Sequence, residues 1–125
     1  MINALELQIW GREFTLPIKY DRYRGEEITE AQEKAITDFQ SRQEWIEASK
    51  SQVEEYCRAQ VVDDKENDKK DNIFSYIKPE YLFVKREDNP RILIVCKYRY
   101  DLERGLAIVF SPDGSIIVGS EDIIL

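Results

Sequence analysis

The sequence predicts a single α+β domain in which an antiparallel sheet carries two helices on one face. Three observations support this prediction. Residues 4–20 alternate between apolar and polar positions, which is the period of half-buried strands. Residues 28–60 repeat their apolar positions with helical spacing. Residues 82–119 contain short apolar runs separated by turn residues. The sheet is therefore expected to combine an N-terminal hairpin with three or four C-terminal strands, in the order ββααββββ.

The first two strands, at about 4–10 and 13–20, are expected to form the hairpin. Their apolar residues fall on one face of each strand: Leu5, Leu7 and Ile9 in the first, and Phe14, Leu16, Ile18 and Tyr20 in the second. Gly11-Arg12 is the predicted two-residue turn, with Gly in the first central position. Pro17 cannot donate a ladder hydrogen bond, so this strand, or at least its Pro17 side, is expected at a sheet edge.

Two helices follow a charged connection. Thr29 is the predicted N-cap of the first helix, whose apolar positions are Ile28, Ala31, Ala35, Ile36 and Phe39. Ser41 and Glu44 have the spacing of a capping box, which predicts a break near 40–42 and a second helix over about 42–60. One long helix stays open as an alternative, because no Gly or Pro enforces the break. The inner stripe of the second helix is Trp45, Ile46, Ser49, Val53, Tyr56 and Cys57.

The C-terminal half begins with a polar run. Residues 63–72 contain no apolar side chain and are predicted to form a mobile loop, because burial cannot offset their ordering entropy. Pro79 suits the first turn of a short helix over 78–82. Strands are then predicted over 82–86, 91–100, 105–111 and 115–119. The run from Ile92 to Cys96 is apolar on both faces and is expected to be central. Beyond Cys96 the alternation of tyrosines with basic residues predicts that this strand leaves the core.

Composition excludes several classes of function. The chain has 125 residues, which favours one domain over 1–125, and no apolar run long enough to span a bilayer. Glu6 stands where a signal peptide would be basic, so a cytoplasmic protein is expected. The chain has no histidine and two cysteines. Serine–histidine and cysteine–histidine catalysis are therefore excluded, no zinc site or other cofactor is expected, and Cys57 and Cys96 are interpreted as reduced core thiols.

The charge distribution bears on partners. The net charge is −7, and residues 29–72 carry twelve acidic residues against seven basic ones. An acidic surface of this kind disfavours nucleic-acid phosphates and anionic membranes. A protein partner, if the domain has one, is expected to be basic.

The turn from Tyr98 to Gly105 holds the most suggestive cluster of ionisable groups. It combines tyrosines, arginines and two carboxylates, and the candidate binding residues are Tyr100, Asp101, Glu103 and Arg104. Asp101 and Glu103 could also act as general acid and base or hold a hard cation, with Glu121 and Asp122 as further carboxylates. A general acid needs a raised pKa, and a polar turn flanked by arginines does not supply one. A charged turn with ion pairs, or a binding surface, is therefore favoured over an active site.

The same C-terminal region resembles a family of small bacterial domains that sometimes occur near toxin-immunity genes. That family ends in an aromatic-Asp-x-Glu-His-Gly motif followed by a strand and Val-Gly-x-x-Asp. The matching residues here are Tyr100-Asp101-Leu102-Glu103-Arg104-Gly105 and Val118-Gly119-Ser120-Glu121-Asp122. Arg104 replaces the histidine, which weakens any catalytic interpretation. The resemblance implies an interaction protein and no established activity.

Three functions are carried forward. The leading hypothesis is a non-enzymatic, immunity-like binding protein that uses an acidic and aromatic surface. A small metal-dependent, hydrolase-like enzyme using the four carboxylates is the second. The third is a structural homodimer, formed through an open strand edge or through the apolar residues 123–125, which are expected to dock on the protein's own core or on a neighbouring subunit.

Overall fold

A computed structural model of the protein describes residues 3–22, 25–60, 77–98, 103 and 105–120, without the side chains of 58–60. It contains two helices and a six-stranded sheet in the predicted order ββααββββ. The elements are β1 (Ala4–Ile9), β2 (Arg12–Tyr20), α1 (Glu30–Gln40), α2 (Glu44–Gln60), β3 (Ile77–Val84), β4 (Ile92–Tyr98), β5 (Leu106–Phe110) and β6 (Ile116–Gly119). The predicted mobile loop at 63–72 and the apolar residues 123–125 lie outside the described residues.

The strands are neighbours in their chain order, β1-β2-β3-β4-β5-β6, and β1 and β6 are the edge strands of the described sheet. Four of the five pairings are antiparallel, but β2 and β3 run parallel over a short ladder. The expectation of an entirely antiparallel sheet is therefore wrong at this one pair. Parallel neighbours need a long crossover, and the chain between Tyr20 and Ile77, which contains both helices, supplies it. None of the helices in the described part of the chain has the length and apolarity needed to cross a membrane.

The N-terminal hairpin is confirmed, although its turn lies one residue earlier than predicted. Ile9 pairs with Arg12, so the two central turn residues are Trp10 and Gly11, with φ of 50° and 86°. Two positive φ angles are typical of the type I′ turn, whose twist matches that of the flanking strands. Trp10 tolerates this conformation because its ring is buried and its Nε1 donates to the Ser49 hydroxyl at 3.4 Å.

Pro17 illustrates a prediction that is half right. β2 is an interior strand of the sheet, not an edge strand. The Ile18 amide donates to the Asn3 carbonyl at 2.8 Å, so the nitrogen of Pro17 points away from β1. The parallel ladder with β3 begins only at Ile18. The missing N–H of Pro17 therefore falls just before that ladder, where no donor is needed.

The helices begin and end at defined caps. Thr29 is the N-cap of α1, as predicted, and its hydroxyl accepts from the Gln32 amide at 3.1 Å. The Gln32 side chain in turn accepts from the Thr29 amide at 2.9 Å, which completes a capping box. The predicted box at Ser41 is wrong: Ser41 is the C-cap of α1, and its hydroxyl donates back to the Asp38 carbonyl at 2.8 Å. The break that it marks is confirmed, and α2 begins at Glu44.

The buried amide of Gln32 also joins α1 to the sheet. Its nitrogen donates to the Asp21 carbonyl, just beyond the end of β2, and to the Val84 carbonyl at the end of β3. The Asp21 amide donates to the same Val84 carbonyl at 2.9 Å. A fully buried amide is tolerated only when it is hydrogen-bonded. Gln32 therefore fixes the start of α1 against the two parallel strands, and we name these contacts the Gln32 clasp.

The short helix predicted over 78–82 is wrong, because these residues lie inside β3. The register of β3 against β4 shifts between Pro79 and Tyr81, with Glu80 as the extra residue of a bulge. A bulge is one of the few places where a strand accepts proline. The helix-compatible position of Pro79 was the misleading signal, and pairing with β4 overrode it.

The buried residues form two clusters, divided by the alternation of the strands. The larger cluster contains helix residues together with one set of alternate strand residues, among them Ile36, Phe39, Ile46, Val53, Leu7, Ile94 and Phe110. The smaller one contains the other set, Leu93, Val95, Ala107 and Val109, with half-buried Tyr81 and Phe83 packed against it. We call the first the helix-side cluster and the second the outer cluster. The prediction that β4 is central and apolar on both faces is confirmed.

Tyr98 shows that β4 stays in the core to its last described residue. Its side chain is fully buried. The strand was predicted to leave the core after Cys96, and at Tyr98 it has not yet done so.

Cys57 and Cys96 are both buried and free, as predicted. Burial raises the pKa of the Cys57 thiol, and its hydrogen bond with Tyr98 partly opposes this effect. Both thiols therefore act as core side chains.

Candidate functional site: a groove at the helix corner

The predicted site at the β4–β5 connection is described at one residue. Glu103 is exposed. Tyr100, Asp101 and Arg104 lie outside the described residues, and so do Glu121 and Asp122. The structure therefore neither brings these groups together nor separates them, and the predicted binding site stays a prediction. Within the described ranges, no group of three or more Cys, Asp or Glu side chains is placed to hold a metal ion.

A different concave site lies at the opposite end of the β4–β5 pair. It is a groove of about 330 Å³ between α1, the α1–α2 corner and two strand connections. Ile92 and Phe110, which pair at this end of the strands, line its floor together with Ala31 and Ala35 of α1. Its walls are Trp45, Pro90 and Pro112, and Lys34, Asp38, Arg42 and Asp88 bring charge to its rim. We name this site the corner groove.

Trp45 is the largest side chain in the corner groove. It lies in the first turn of α2 and is half-buried. The Arg42 guanidinium lies 5.3 Å from the centre of its ring, and its backbone amide donates to the Arg42 carbonyl at 3.0 Å. A Cβ added to Gly114 would lie 3.9 Å from Trp45 Cζ2, so the β5–β6 turn lies next to the indole edge. The ring therefore lies between Arg42 and this turn, and it also lines the groove.

The floor is rigid because it belongs to the helix-side cluster. The rings of Phe39 and Phe110 pack with their centroids 5.2 Å apart and tilted by 54°, an arrangement that aromatic pairs prefer. Ile92 is also buried against this cluster. A ligand in the groove would therefore rest on the protein core.

The β5–β6 turn positions Pro112. Gly114 has φ of 90° and donates its amide to the Ser111 carbonyl at 2.9 Å. Asp113 Oδ1 accepts from the Ser115 amide at 2.9 Å, and this hydrogen bond lowers the pKa of the Asp113 carboxyl. Aspartate and glycine in these positions are typical of tight turns. The turn holds one wall of the groove without help from a ligand.

The β3–β4 connection positions Pro90 on the other side. Glu87 Oε1 accepts from Arg91 Nη2 at 2.7 Å, and Glu87 Oε2 accepts from Arg91 Nε at 3.1 Å and from the Arg91 amide at 3.2 Å. This is the paired geometry that makes arginine–carboxylate contacts strong. The hydrogen bonds from Arg91 lower the pKa of Glu87, and those to Glu87 raise the pKa of Arg91. The connection is thereby closed into a fixed loop around Pro90.

The rim carries both signs of charge. Lys34 Nζ lies 3.0 Å from Asp38 Oδ2, one helical turn apart on α1. Both side chains are more than half exposed, so this pair contributes little to stability and is free to exchange partners. An apolar floor, an aromatic wall and a charged rim can bind a protruding side chain or a short segment of a protein.

Sequence reasoning assigned the residues of the corner groove to other roles. Trp45 was placed on the inner stripe of α2, and Pro90 and Pro112 fall in the turns that separate the predicted C-terminal strands. One signal could have located the groove. Successive connections of an antiparallel meander alternate between the two ends of the sheet, so the connections at 87–90 and 111–114 must lie at the same end. The corner between the two helices could not be positioned over that end from the sequence.

The fold and this site define the chain as a small α+β domain with a pre-formed surface groove. Residues 3–125 match the family described as Domain of unknown function (DUF6985). The match covers nearly the whole chain, and the protein belongs to this family. No curated protein and no solved structure matches the chain.

Proposed function

We propose that this protein is a non-enzymatic, immunity-like binding domain that acts in the cytoplasm and engages a basic protein partner through the corner groove. The observation that carries the proposal is the half-buried Trp45 ring, held between Arg42 and the β5–β6 turn above an apolar floor. Tryptophan and arginine are over-represented among the residues that dominate binding energy at protein interfaces.

Pre-organisation is the second argument. The connections that carry Pro90 and Pro112 are closed by their own hydrogen bonds, and the floor is part of the core. A partner that binds here would not have to order these groups, and ordering is a main cost of association. The groove, at about 330 Å³, has room for one or two side chains of a protein segment.

The charge of the chain suggests the kind of partner. The chain carries −7 overall, and its acidic excess is concentrated in the segment that contains both helices. The proposal takes both helices to lie on one face of the sheet, as the composition of the helix-side cluster suggests. Their solvent-facing sides would then form an acidic surface around the groove that attracts a basic protein and speeds its association. The resemblance to domains found near toxin-immunity genes fits such a partner.

The test measures binding to the purified products of neighbouring genes by titration calorimetry. Ala35→Glu obstructs the floor of the groove and Asp88→Lys reverses a charge at its rim. Each is expected to weaken binding at least about tenfold, equivalent to about 1.4 kcal/mol. Glu103→Lys is the matched control, since it reverses an exposed acid at the other end of β4. Circular dichroism establishes that each variant is folded.

The control also separates the two candidate surfaces. If Glu103→Lys abolishes binding while Ala35→Glu and Asp88→Lys leave it intact, the surface lies at Tyr100, Asp101, Glu103 and Arg104, and the corner groove is the wrong site. If none of the neighbouring gene products binds, the immunity-like proposal fails.

The other two functions remain predictions. The metal-dependent enzyme rests on Asp101, Glu103, Glu121 and Asp122, of which only Glu103 is described. It would bind Mg²⁺ or Ca²⁺ in a calorimetric titration, and Glu103→Gln would weaken that binding. The homodimer would form by pairing of β1 or β6, the edge strands of the described sheet, with a strand of a second copy. Light scattering would detect the dimer.

A further inference from the structure

The outer cluster is more deeply buried than the described elements explain. Leu93, Val95, Ala107 and Val109 are 0%, 1%, 0% and 3% exposed. Among the described residues, the side chains packed with them are Tyr81 and Phe83, which are also strand residues, and no helix residue belongs to the cluster. A sheet face without a covering layer leaves such side chains partly in contact with water. Something other than the described helices must therefore cover this face.

The centre of the outer cluster has room for a chain to cross it. One row of paired residues crosses the sheet from Gly119 through Ala107 and Val95 to Tyr81. The side chains in this row increase in size from Gly119, which has none, to Tyr81. The neighbouring row of paired residues runs from Ile117 through Val109 and Leu93 to Phe83. Its larger apolar side chains form a wall beside the first row. Ile117, at the edge of this wall, is 54% exposed.

Three lysines border the outer cluster. Lys78 lies directly opposite Lys97 in the β3–β4 ladder, and like charges in that position repel. Lys97 Nζ lies 3.7 Å from Glu80 Oε2. Lys19 adds a third cation, 4.1 Å from the centre of the Tyr81 ring. An apolar face bordered by lysines suits a segment that is both apolar and acidic.

We propose that the outer cluster is the docking surface for residues 121–125 of the same chain. The sequence of this segment is Glu-Asp-Ile-Ile-Leu, which supplies two carboxylates for the lysines and three apolar side chains for the cluster. It follows Gly119 and Ser120 directly, at the end of the row that leads across Ala107. Five extended residues reach about 17 Å, and the distance from β6 to β3 is three strand spacings, or about 14 Å. The segment is therefore long enough to cross the cluster.

This inference is independent of the proposed function, and its test needs no binding partner. Methyl-labelled protein is mixed with unlabelled protein, and nuclear Overhauser contacts within one chain are separated from contacts between chains. Contacts within one chain are expected between the methyl groups of Ile123, Ile124 or Leu125 and those of Val95 and Val109. This measurement uses the unmodified chain and does not depend on whether a variant folds.

A variant gives the second measurement. Ile123, Ile124 and Leu125 are each replaced by Ser, and a soluble paramagnetic chelate reports the solvent exposure of each methyl group. Relaxation of the Leu93 and Val95 methyl groups is expected to rise from the level of Ile94 to the level of Ile117. Ile94 is the matched control, because it is buried next to Leu93 on the other face.

Three results would overturn the inference. Contacts from residues 61–76 to Val95 and Val109 would assign the covering segment elsewhere in the chain. Contacts found solely between chains would assign it to a second copy. Strong relaxation of Leu93 and Val95 in the unmodified protein would mean that the face is open.

Discussion

The two faces of the sheet are built from adjacent residues of the same strands, yet they differ in how they are completed. Ile94 belongs to the helix-side cluster and Leu93 to the outer cluster. The helix-side cluster contains described residues of α1 and α2 together with strand residues. The outer cluster has fewer described residues and is bordered by lysines. Burial of a strand residue therefore identifies a covered face of the sheet but does not identify the covering element.

The largest expected effect comes from the helix-side face. Ile94→Ala removes a fully buried side chain and is expected to lower the free energy of unfolding by about 2–5 kcal/mol. Leu93→Ala is the matched change on the other face. If the outer cluster is covered, its cost falls in the same range, whereas on an open face it would be about 1 kcal/mol. Urea denaturation of both variants measures the difference, and a cost for Ile94→Ala as low as that of an exposed residue would contradict the assigned core.

The next effect concerns the attachment of the helices to the sheet. Gln32→Leu removes both hydrogen bonds that the Gln32 side-chain nitrogen donates, so the Asp21 carbonyl loses this donor while the Val84 carbonyl keeps the Asp21 amide as a donor. We expect a loss of about 1–3 kcal/mol of stability, because a buried polar group without its partner carries most of its desolvation cost. Gln40→Leu, at an exposed position of the same helix, is the control and should change stability by less than about 0.5 kcal/mol. Equal effects of the two substitutions would rule out the clasp.

A pH-dependent effect is expected at the β3–β4 connection. The pKa of Glu87 in the folded protein lies below its unfolded value of about 4.3, owing to Arg91. The stabilisation is therefore complete above the unfolded pKa and is lost as the pH falls through the folded pKa. Because both side chains are partly exposed, the loss in Glu87→Gln at pH 7 should be at most about 1 kcal/mol. Thermal unfolding from pH 7 to pH 2.5 should show the two proteins converging at the acidic end; a constant difference would contradict the pair.

The smallest effect is expected on the outer face. Lys19→Met removes the cation from the Tyr81 ring while keeping an unbranched side chain. The contact is at an exposed lysine, so a loss of about 0.5 kcal/mol is expected. Lys19→Arg preserves a cation over the ring and should retain the wild-type stability. A stability for Lys19→Met equal to that of Lys19→Arg would show that the contact contributes nothing.

Much of the fold was predictable from local patterns. The alternation of Leu5, Leu7 and Ile9 identified β1 and its buried face, and the spacing from Ala31 to Phe39 identified α1. Errors occurred where two local signals competed. Pro79 is compatible with the first turn of a helix and with a bulge, and pairing with β4 decided between them. Ser41 fits an N-cap as well as a C-cap, and its hydrogen bond to Asp38 shows that it ends α1.

The candidate site was less predictable than the fold. The cluster around Asp101 and Glu103 is conspicuous because its residues are adjacent in sequence. The corner groove combines Ala35, Trp45, Pro90 and Pro112, which come from four separate segments. No local pattern relates residues that are brought together by the packing of a helix corner over two strand connections. Sites of this kind become visible once the elements are placed in space.

Local sequence patterns and composition are sufficient to predict the order of the elements, the buried face of most strands and helices, and the absence of histidine chemistry. These properties follow from periodicity and composition, which act over a few residues at a time. The parallel pairing of β2 with β3, the register at Pro79 and the corner groove arise from tertiary packing. Tertiary packing also produces the outer cluster as a second buried layer. These features depend on contacts between residues far apart in the chain, whose free energies are settled only when the whole domain packs.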